Sequence, residues 1–208
     1  MSDKTQTDGP LTDGETESSL HSEAQYDRNK AREGVRLLLE AIGEDPNRPG
    51  LQETWQRRVP AAFETLTEGN RGVEKPELTT FETESDELVI KTGIPVHSLC
   101  EHHLLPFHGT AAIAYRPDEE VVGLSKISRY VRWQSRQLTM QEELTQDIAE
   151  GLADEVGAET VLVQISATHL CEAMRGIETA TTTTTQATVG EPTTADRTQF
   201  RNAISKSN

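Results

Sequence analysis

The chain predicts an α+β fold: an antiparallel sheet backed by two helices, with a helical extension ahead of it. Three observations carry that expectation. Near the N-terminus, Ala31, Val35, Leu38, Leu39 and Ile42 recur at helical spacing. From Leu78 onward, short runs of Thr, Val, Ile and aromatic residues alternate as strands do. The patterns follow the order helices, strand pair, two helices, strand pair, which groups like elements instead of alternating them.

Taken in order, residues 1–25 are Ser, Thr, Asp, Glu and Gly with few large apolar groups. Such a segment buries too little surface to offset its ordering entropy, and a disordered acidic tail is expected. Residues 26–70 read as a helical segment: Tyr26 to Ile42, closed by Gly43, then a turn at Asp45-Pro46-Asn47-Arg48-Pro49-Gly50, then a helix from about Glu53 to Leu66 closed by Gly69. Residues 71–208 read as the domain that carries the chemistry. Leu78 to Gly93 suits a strand pair, and Gly109 to Tyr115 suits a further strand turned by Arg116-Pro117-Asp118. Ser125 reads as the N-cap of a helix to about Gln137. Thr139, with Glu142 three residues on, reads as a capping box for a helix to Val156. Glu159 to Leu170 is the strongest strand: Val161, Val163, Ile165, Ala167, His169 and Cys171 fall on one face at period two. A Thr-rich strand follows, from about Thr179 to Val189.

Of 208 residues, 34% are hydrophobic, enough for one domain with a real core. No run approaches the ~18 apolar residues that cross a bilayer. The N-terminus lacks a basic region followed by an apolar one, so no signal peptide is expected and the cytoplasm is the expected compartment. A formal net charge of -15 repels nucleic acid and anionic membranes, and neither is an expected partner. Arginine outnumbers lysine 14 to 6, a composition that suits a salt-rich cytoplasm. A nucleotide substrate would need a local basic pocket set against this field.

The chain's soft ligands gather in two places. Leu99-Cys100-Glu101-His102-His103 puts a thiol and two imidazoles within four residues, and Thr168-His169-Leu170-Cys171 adds an imidazole and the second thiol. In a chain without an export signal, two cysteines point to metal or catalysis before a disulfide. Neighbouring residues of extended chain face opposite ways, so His102 and His103 are not expected on one ion. Cys100 and His103 meet across one tight turn. With Cys171 they make a Cys2His set, which suits catalytic Zn2+ with an open fourth position. A four-ligand structural zinc is the other metal reading. His102 and His169, left beside the ligands as proton-transfer groups, argue against it.

A second constellation is Gly123-Leu124-Ser125-Lys126-Ile127-Ser128-Arg129. Free N–H groups at a helix start, an ammonium and a guanidinium together suit a phosphate. Arg132 and Arg136 continue a basic strip, and Arg175, four residues past Cys171, is expected to reach the same anion. Gln141 and Glu142 open the next helix; a carboxylate there can accept two hydrogen bonds from a guanine edge, although on the residues alone a plain capping role suits Glu142 better.

These residues resemble the zinc-dependent GTP cyclohydrolase I family. The resemblance runs from about Tyr26 to the C-terminus through five motifs in register: Gly43-Glu44-Asp45-Pro46 to Arg58-Val59, Cys100-Glu101-His102-His103, Gly123 to Ile127, Gln141-Glu142, and His169-Leu170-Cys171 with Arg175-Gly176. It implies the tunnelling fold, GTP as substrate, and hydrolytic opening of the imidazole ring with release of formate and formation of 7,8-dihydroneopterin triphosphate. It implies zinc on Cys100, His103 and Cys171, with His102 and His169 as catalytic histidines. By the same resemblance, Ser125, Lys126, Arg129 and Arg175 hold the triphosphate and Gln141 and Glu142 the guanine. It further implies a homo-oligomer, a toroidal decamer, with sites shared between neighbours. The competing expectations are a zinc-stabilised binding module without catalysis, and another pterin or deazaguanine enzyme of the same fold.

Overall fold

A computed structural model describes residues 25–71 and 73–207, so the tail expectation lies, but for Gln25, outside the described residues. The first helix, α1 (Arg28–Ala41), starts where the Asp27 carboxylate accepts the N–H groups of Asn29 and Lys30, each at 3.0 Å. Leu37, Leu38 and Ile42 leave an uncovered apolar edge on it, at 50%, 62% and 66% exposure. Next come α2 (Pro49–Glu53) and α3 (Val59–Leu66), joined by one wide π turn, Thr54–Arg58, into what is nearly one continuous helix. The Trp55 indole N–H, donating to Pro46 O at 3.0 Å, ties that turn to the preceding loop.

The strands are β1 (Thr80–Glu82), β2 (Val89–Cys100), β3 (Pro106–Arg116), β4 (Glu120–Val122), β5 (Leu138–Thr139), β6 (Thr160–His169) and β7 (Thr183–Val189). The main sheet runs β5-β2-β3-β6-β7, antiparallel throughout except for the parallel β5–β2 edge. The strand pair expected over Leu78 to Gly93 does not form. Thr80–Glu82 pairs with Glu120–Val122 as a separate two-stranded sheet, and Val89 onward pairs with β3. Alternation is a local signal, but each half finds its partner elsewhere in the chain. Gly93 does not end a strand either: it is a bulge within β2, at φ +69, where the register shifts between Lys91 and Ile94.

Two helices, α4 (Leu124–Gln134) and α5 (Gln141–Val156), cover one face. Ile127, Tyr130, Val131, Leu144, Ile148 and Leu152 pack there on Val96, Phe107, Ile113, Val163 and Ile165, all buried in one cluster. Each fully buried aliphatic side chain contributes about 1.5–3 kcal/mol. Two expected helix starts are corrected. Gly123, not Ser125, is the N-cap of α4, and Met140, without a side-chain cap, precedes α5. Thr139 is drawn into β5 beside Cys100, which takes it out of any capping box. A short α6 (Leu170–Ala173) follows β6.

The last helix, α7 (Thr194–Ser205), was not anticipated. It covers the other face, where Phe200 packs with Ala112, Ala114 and Leu162. Its signal was present: Thr193 and Asp196 form a full capping box, and Phe200 and Ile204 stand one helical turn apart.

Candidate active site

The site sits where the β2–β3 turn meets the end of β6. The Cys100 N–H donates to Leu105 O at 2.9 Å, and Cys100 O accepts from the N–H groups of Leu104 at 2.8 Å and His103 at 3.3 Å. Leu104 takes the left-handed conformation, φ 55, to close this turn. That is uncommon for a branched side chain and costs roughly 1–2 kcal/mol. The result folds His103 back over Cys100, Nδ1 to Sγ 3.8 Å. From the other side, β6 brings His169 opposite Phe107 on β3. Gly109, two pairs further along, lets the two backbones meet: a Cβ there would stand 2.0 Å from Ser166 O.

Cys171 is not on the strand face. It lies in α6, one turn beyond β6, and the sequence period breaks at Leu170. That turn swings its sulfur toward the same point. The donor atoms of Cys100, His103 and Cys171 all lie within 4.8 Å of one another. The expected pairings therefore meet by a turn and a helix, not by strand alternation.

This donor set fits zinc. Tetrahedral bonds of about 2.3 Å to sulfur and 2.0–2.1 Å to nitrogen place ligand atoms roughly 3.5–4 Å apart, close to what the cluster presents. Both cysteines are free thiols, Cys100 buried and Cys171 half-buried. Burial, and then the neighbouring Cys100, push the Cys171 thiol above its ordinary value; Arg175 pulls weakly the other way. Two thiols so close resist joint ionisation unless a cation lies between them.

The remaining predicted residues divide into two groups. His169 lies beside the thiols. Its ring stacks on Phe107 with centroids 4.8 Å apart and planes 12° apart, and its Nε2 is 2.7 Å from Gln141 Oε1. Burial lowers its pKa, opposed by Glu142 and Glu172, so burial favours the neutral ring. Glu142 is exposed at the start of α5 next to Gln141, and Arg175 is exposed four residues past Cys171. His102 points outward with its Nε2 3.5 Å from Glu101 Oε1, edge-on to His103. Gln141 is 1% exposed, and its amide is occupied inside the protein, on Ile165 O, Thr183 O, Thr185 Oγ1 and His169. Phe107 was missed, and nothing in the sequence marked it.

Ser125 and Lys126 are not brought to this centre. They lie on the first turn of α4, next to Lys91, whose ammonium donates to Leu124 O. The opposite end of α4 leads to Gln137, whose carbonyl accepts from Ser98 near Cys100. The length of α4 and its following turn puts Ser125 roughly 20 Å or more from Cys100. Arg129 faces a cavity of about 300 Å³ with Arg132, Arg136, His97 and Ser128. None of these arginines makes an ion pair among the described residues. Within one chain, then, the Ser125–Lys126 pair lies at the far end of α4 from Cys100, whereas Arg175 follows Cys171 by four residues.

A GTP cyclohydrolase 1 of Hyperthermus butylicus is 49% identical over 165 residues, 79% of this chain and 83% of that protein. Those of Campylobacter lari and Clostridium perfringens are 47% and 44% identical, over 76% of this chain and 83% and 88% of theirs. With residues 31–206 matching the description of GTP cyclohydrolase I, the chain belongs to the GTP cyclohydrolase I family.

Proposed function

We propose that the chain hydrolyses GTP at C8 of the guanine, releases that carbon as formate and closes a new ring to give 7,8-dihydroneopterin triphosphate. The observation that carries this is the meeting of Cys100, His103 and Cys171 within 4.8 Å, two residues from the half-buried His169, in a chain of this family. Those three residues would hold Zn2+, which when bound supplies Lewis acidity and lowers the pKa of a water. His169 and His102 move protons. A proton given to N7 makes C8 electrophilic; water adds there, the C8–N9 bond opens, and the formamide takes a second water to leave as formate. Ring closure then expels one water, so one water is consumed overall.

Glu142 accepts from the N1–H and exocyclic amine of the base. Ser125, Lys126, Arg129 and Arg175 take the triphosphate. The distance from Ser125 to Cys100 is beyond the reach of one GTP, which supports sites shared between copies of the chain, with the phosphate set of one serving the metal set of another. The uncovered edge of α1, Leu37, Leu38 and Ile42, supports association as well. The decamer and the tunnelling fold follow from the family resemblance. We assign residues 71–208 to the catalytic unit, 26–70 to a helical extension and 1–25 to a tail. We place the protein in the cytoplasm; no helix among the described residues is long and apolar enough to cross a membrane.

The experiment is incubation of zinc-loaded protein with GTP, reading the fluorescence of the oxidised pterin and the formate released. Both are expected in equal amounts. Full zinc loading with neither product would favour the non-catalytic module.

A further inference from the structure

Gln141 lies where the resemblance puts a contact to guanine, yet its amide faces inward. It is the first residue of α5, and its side chain enters the layer between that helix and the β6–β7 edge. At one end the amide meets Ile165 O at 3.0 Å, Thr183 O at 3.1 Å and Thr185 Oγ1 at 3.1 Å. The first two are backbone carbonyls and can only accept, so this end must be the NH2. Thr185 Oγ1 lies 2.6 Å from Thr145 Oγ1, and Thr145 donates to the backbone carbonyl of Gln141 at 2.6 Å, linking the side-chain amide back to its own main chain.

The other end is then the oxygen, 2.7 Å from His169 Nε2. An amide oxygen only accepts, so Nε2 must carry a hydrogen. In the neutral ring the lone pair is therefore on Nδ1, which makes no hydrogen bond among the described residues. Phe107, stacked on the ring, holds its plane. Two backbone carbonyls thus dictate, through one side chain, which nitrogen of His169 is free.

We infer that Gln141 is a positioning residue that keeps His169 in the Nε2–H form, so that proton transfer runs through Nδ1, and that it does not touch the guanine. This rests on the reading of His169 as a proton-transfer group.

The test has two arms. In zinc-loaded wild-type enzyme without substrate, labelled with 15N in its histidine rings, solid-state NMR reads the tautomer. The His169 signals are identified by their loss in His169→Gln. Nε2 is expected protonated and Nδ1 bare; the reverse tautomer overturns the inference, whatever the enzyme turns over. In kinetics, Gln141→Met removes the acceptor, and Gln141→Glu, held neutral by the two carbonyl oxygens it faces, keeps a C=O acceptor toward Nε2 and one O–H donor toward Ile165 O. Gln141→Met is expected to lower kcat by about 100-fold or more, as for loss of an oriented acid–base group. The KM for GTP is expected within threefold and zinc per chain unchanged. Gln141→Glu is expected to recover at least tenfold of that loss. The ratio of kcat/KM for GTP over ITP, which lacks the exocyclic amine, is expected to stay as in wild type. A collapse of that ratio in Gln141→Glu, or a rise in KM with kcat intact, would make Gln141 a base contact and overturn the inference. Absence of GTP turnover in wild type would instead fail the functional reading, with the tautomer still measurable.

Discussion

Removing the metal separates a catalytic zinc from a structural one, and the geometry sets how large the effect on stability is. The three donors lie at one end of the sheet. Cys100 is buried at the end of β2, but its turn is already closed by backbone hydrogen bonds from Leu104, to Leu105 and from His103. Cys100 belongs to the main cluster and Cys171 packs on it, but the bulk of that cluster lies further along the sheet, through Val96, Ile113, Val163 and Ile165 beneath α4 and α5, and needs no ion. Zinc held by these three residues would therefore stabilise only by mass action on a fold that already exists. At free zinc 100 times its dissociation constant this is about 2.7 kcal/mol. For a chain of 208 residues, each kcal/mol moves Tm by about 2–4 °C, so complete chelation is expected to lower it by about 5–11 °C. The unfolding transition should remain cooperative and the circular dichroism of the apo protein native. Cys171→Ala, with one of three donors gone, is expected to show the apo melting temperature with or without zinc. The assay is thermal unfolding followed by circular dichroism, with bound zinc measured on the same samples. An apo protein without a cooperative transition would show that folding requires the ion, and the argument for an open catalytic site would fail.

Three further outcomes follow from named contacts. His102→Ala removes an exposed imidazole that is not among the clustered donors, so it should keep one zinc per chain while losing about 100-fold in turnover; zinc loss would refute that division of roles. Arg175→Ala should raise the KM for GTP about tenfold or more, with zinc content unchanged, and an unaltered KM would remove it from the phosphate set. At Asp196, burial pushes the carboxyl up, but hydrogen bonds from Thr193 and the Arg116 guanidinium at 2.5 Å outweigh it and hold the carboxyl below 3.8. Its contribution is therefore present above pH 3.8 and lost as pH falls through the lower folded value. Asp196→Asn should cost about 1–2 kcal/mol near neutrality, with the gap to wild type narrowing below pH 3.8 in acid titrations; a gap that widens in acid would reverse the sign assigned.

What could be read from the chain was what local spacing determines. Cys100 and His103 are three apart, and only a tight turn lets them share an ion, so the pair was legible. His169 and Cys171 were legible as neighbours, but the period-two reason was wrong: the strand ends at His169, and Cys171 arrives by a helical turn that follows a branch point no propensity marks. Pairing partners were illegible for the same reason that sheets are nonlocal. Thr80–Glu82 pairs 40 residues away, and nothing in its own alternation says so. The capping box of α7 was legible and overlooked, because the residues around Phe200 are too polar to stand out as a buried face.

Gln141 shows a deeper limit. Beside Glu142 at a helix start, a glutamine reads as half of a base-recognition pair, and the motif is the same whether the amide faces ligand or protein. What decides is the position of Ile165 and Thr183, whose carbonyls converge on it from two strands 24 and 42 residues away. The anion set teaches the complementary point. Ser125, Lys126 and Arg129 read as anion chemistry from their types and spacing, yet their distance from Cys100 is a property of the whole helix and strand between them. On the assignment proposed above, the phosphate groups and the metal donors stand at opposite ends of one strand, and a complete site would need copies brought together. Mixing Cys171→Ala subunits with Lys126→Ala subunits, each inactive alone, should then restore part of the turnover. Failure of the mixed oligomer to do so would mean that one chain supplies both sets to a site, and would contradict the separation of Ser125 from Cys100 along α4.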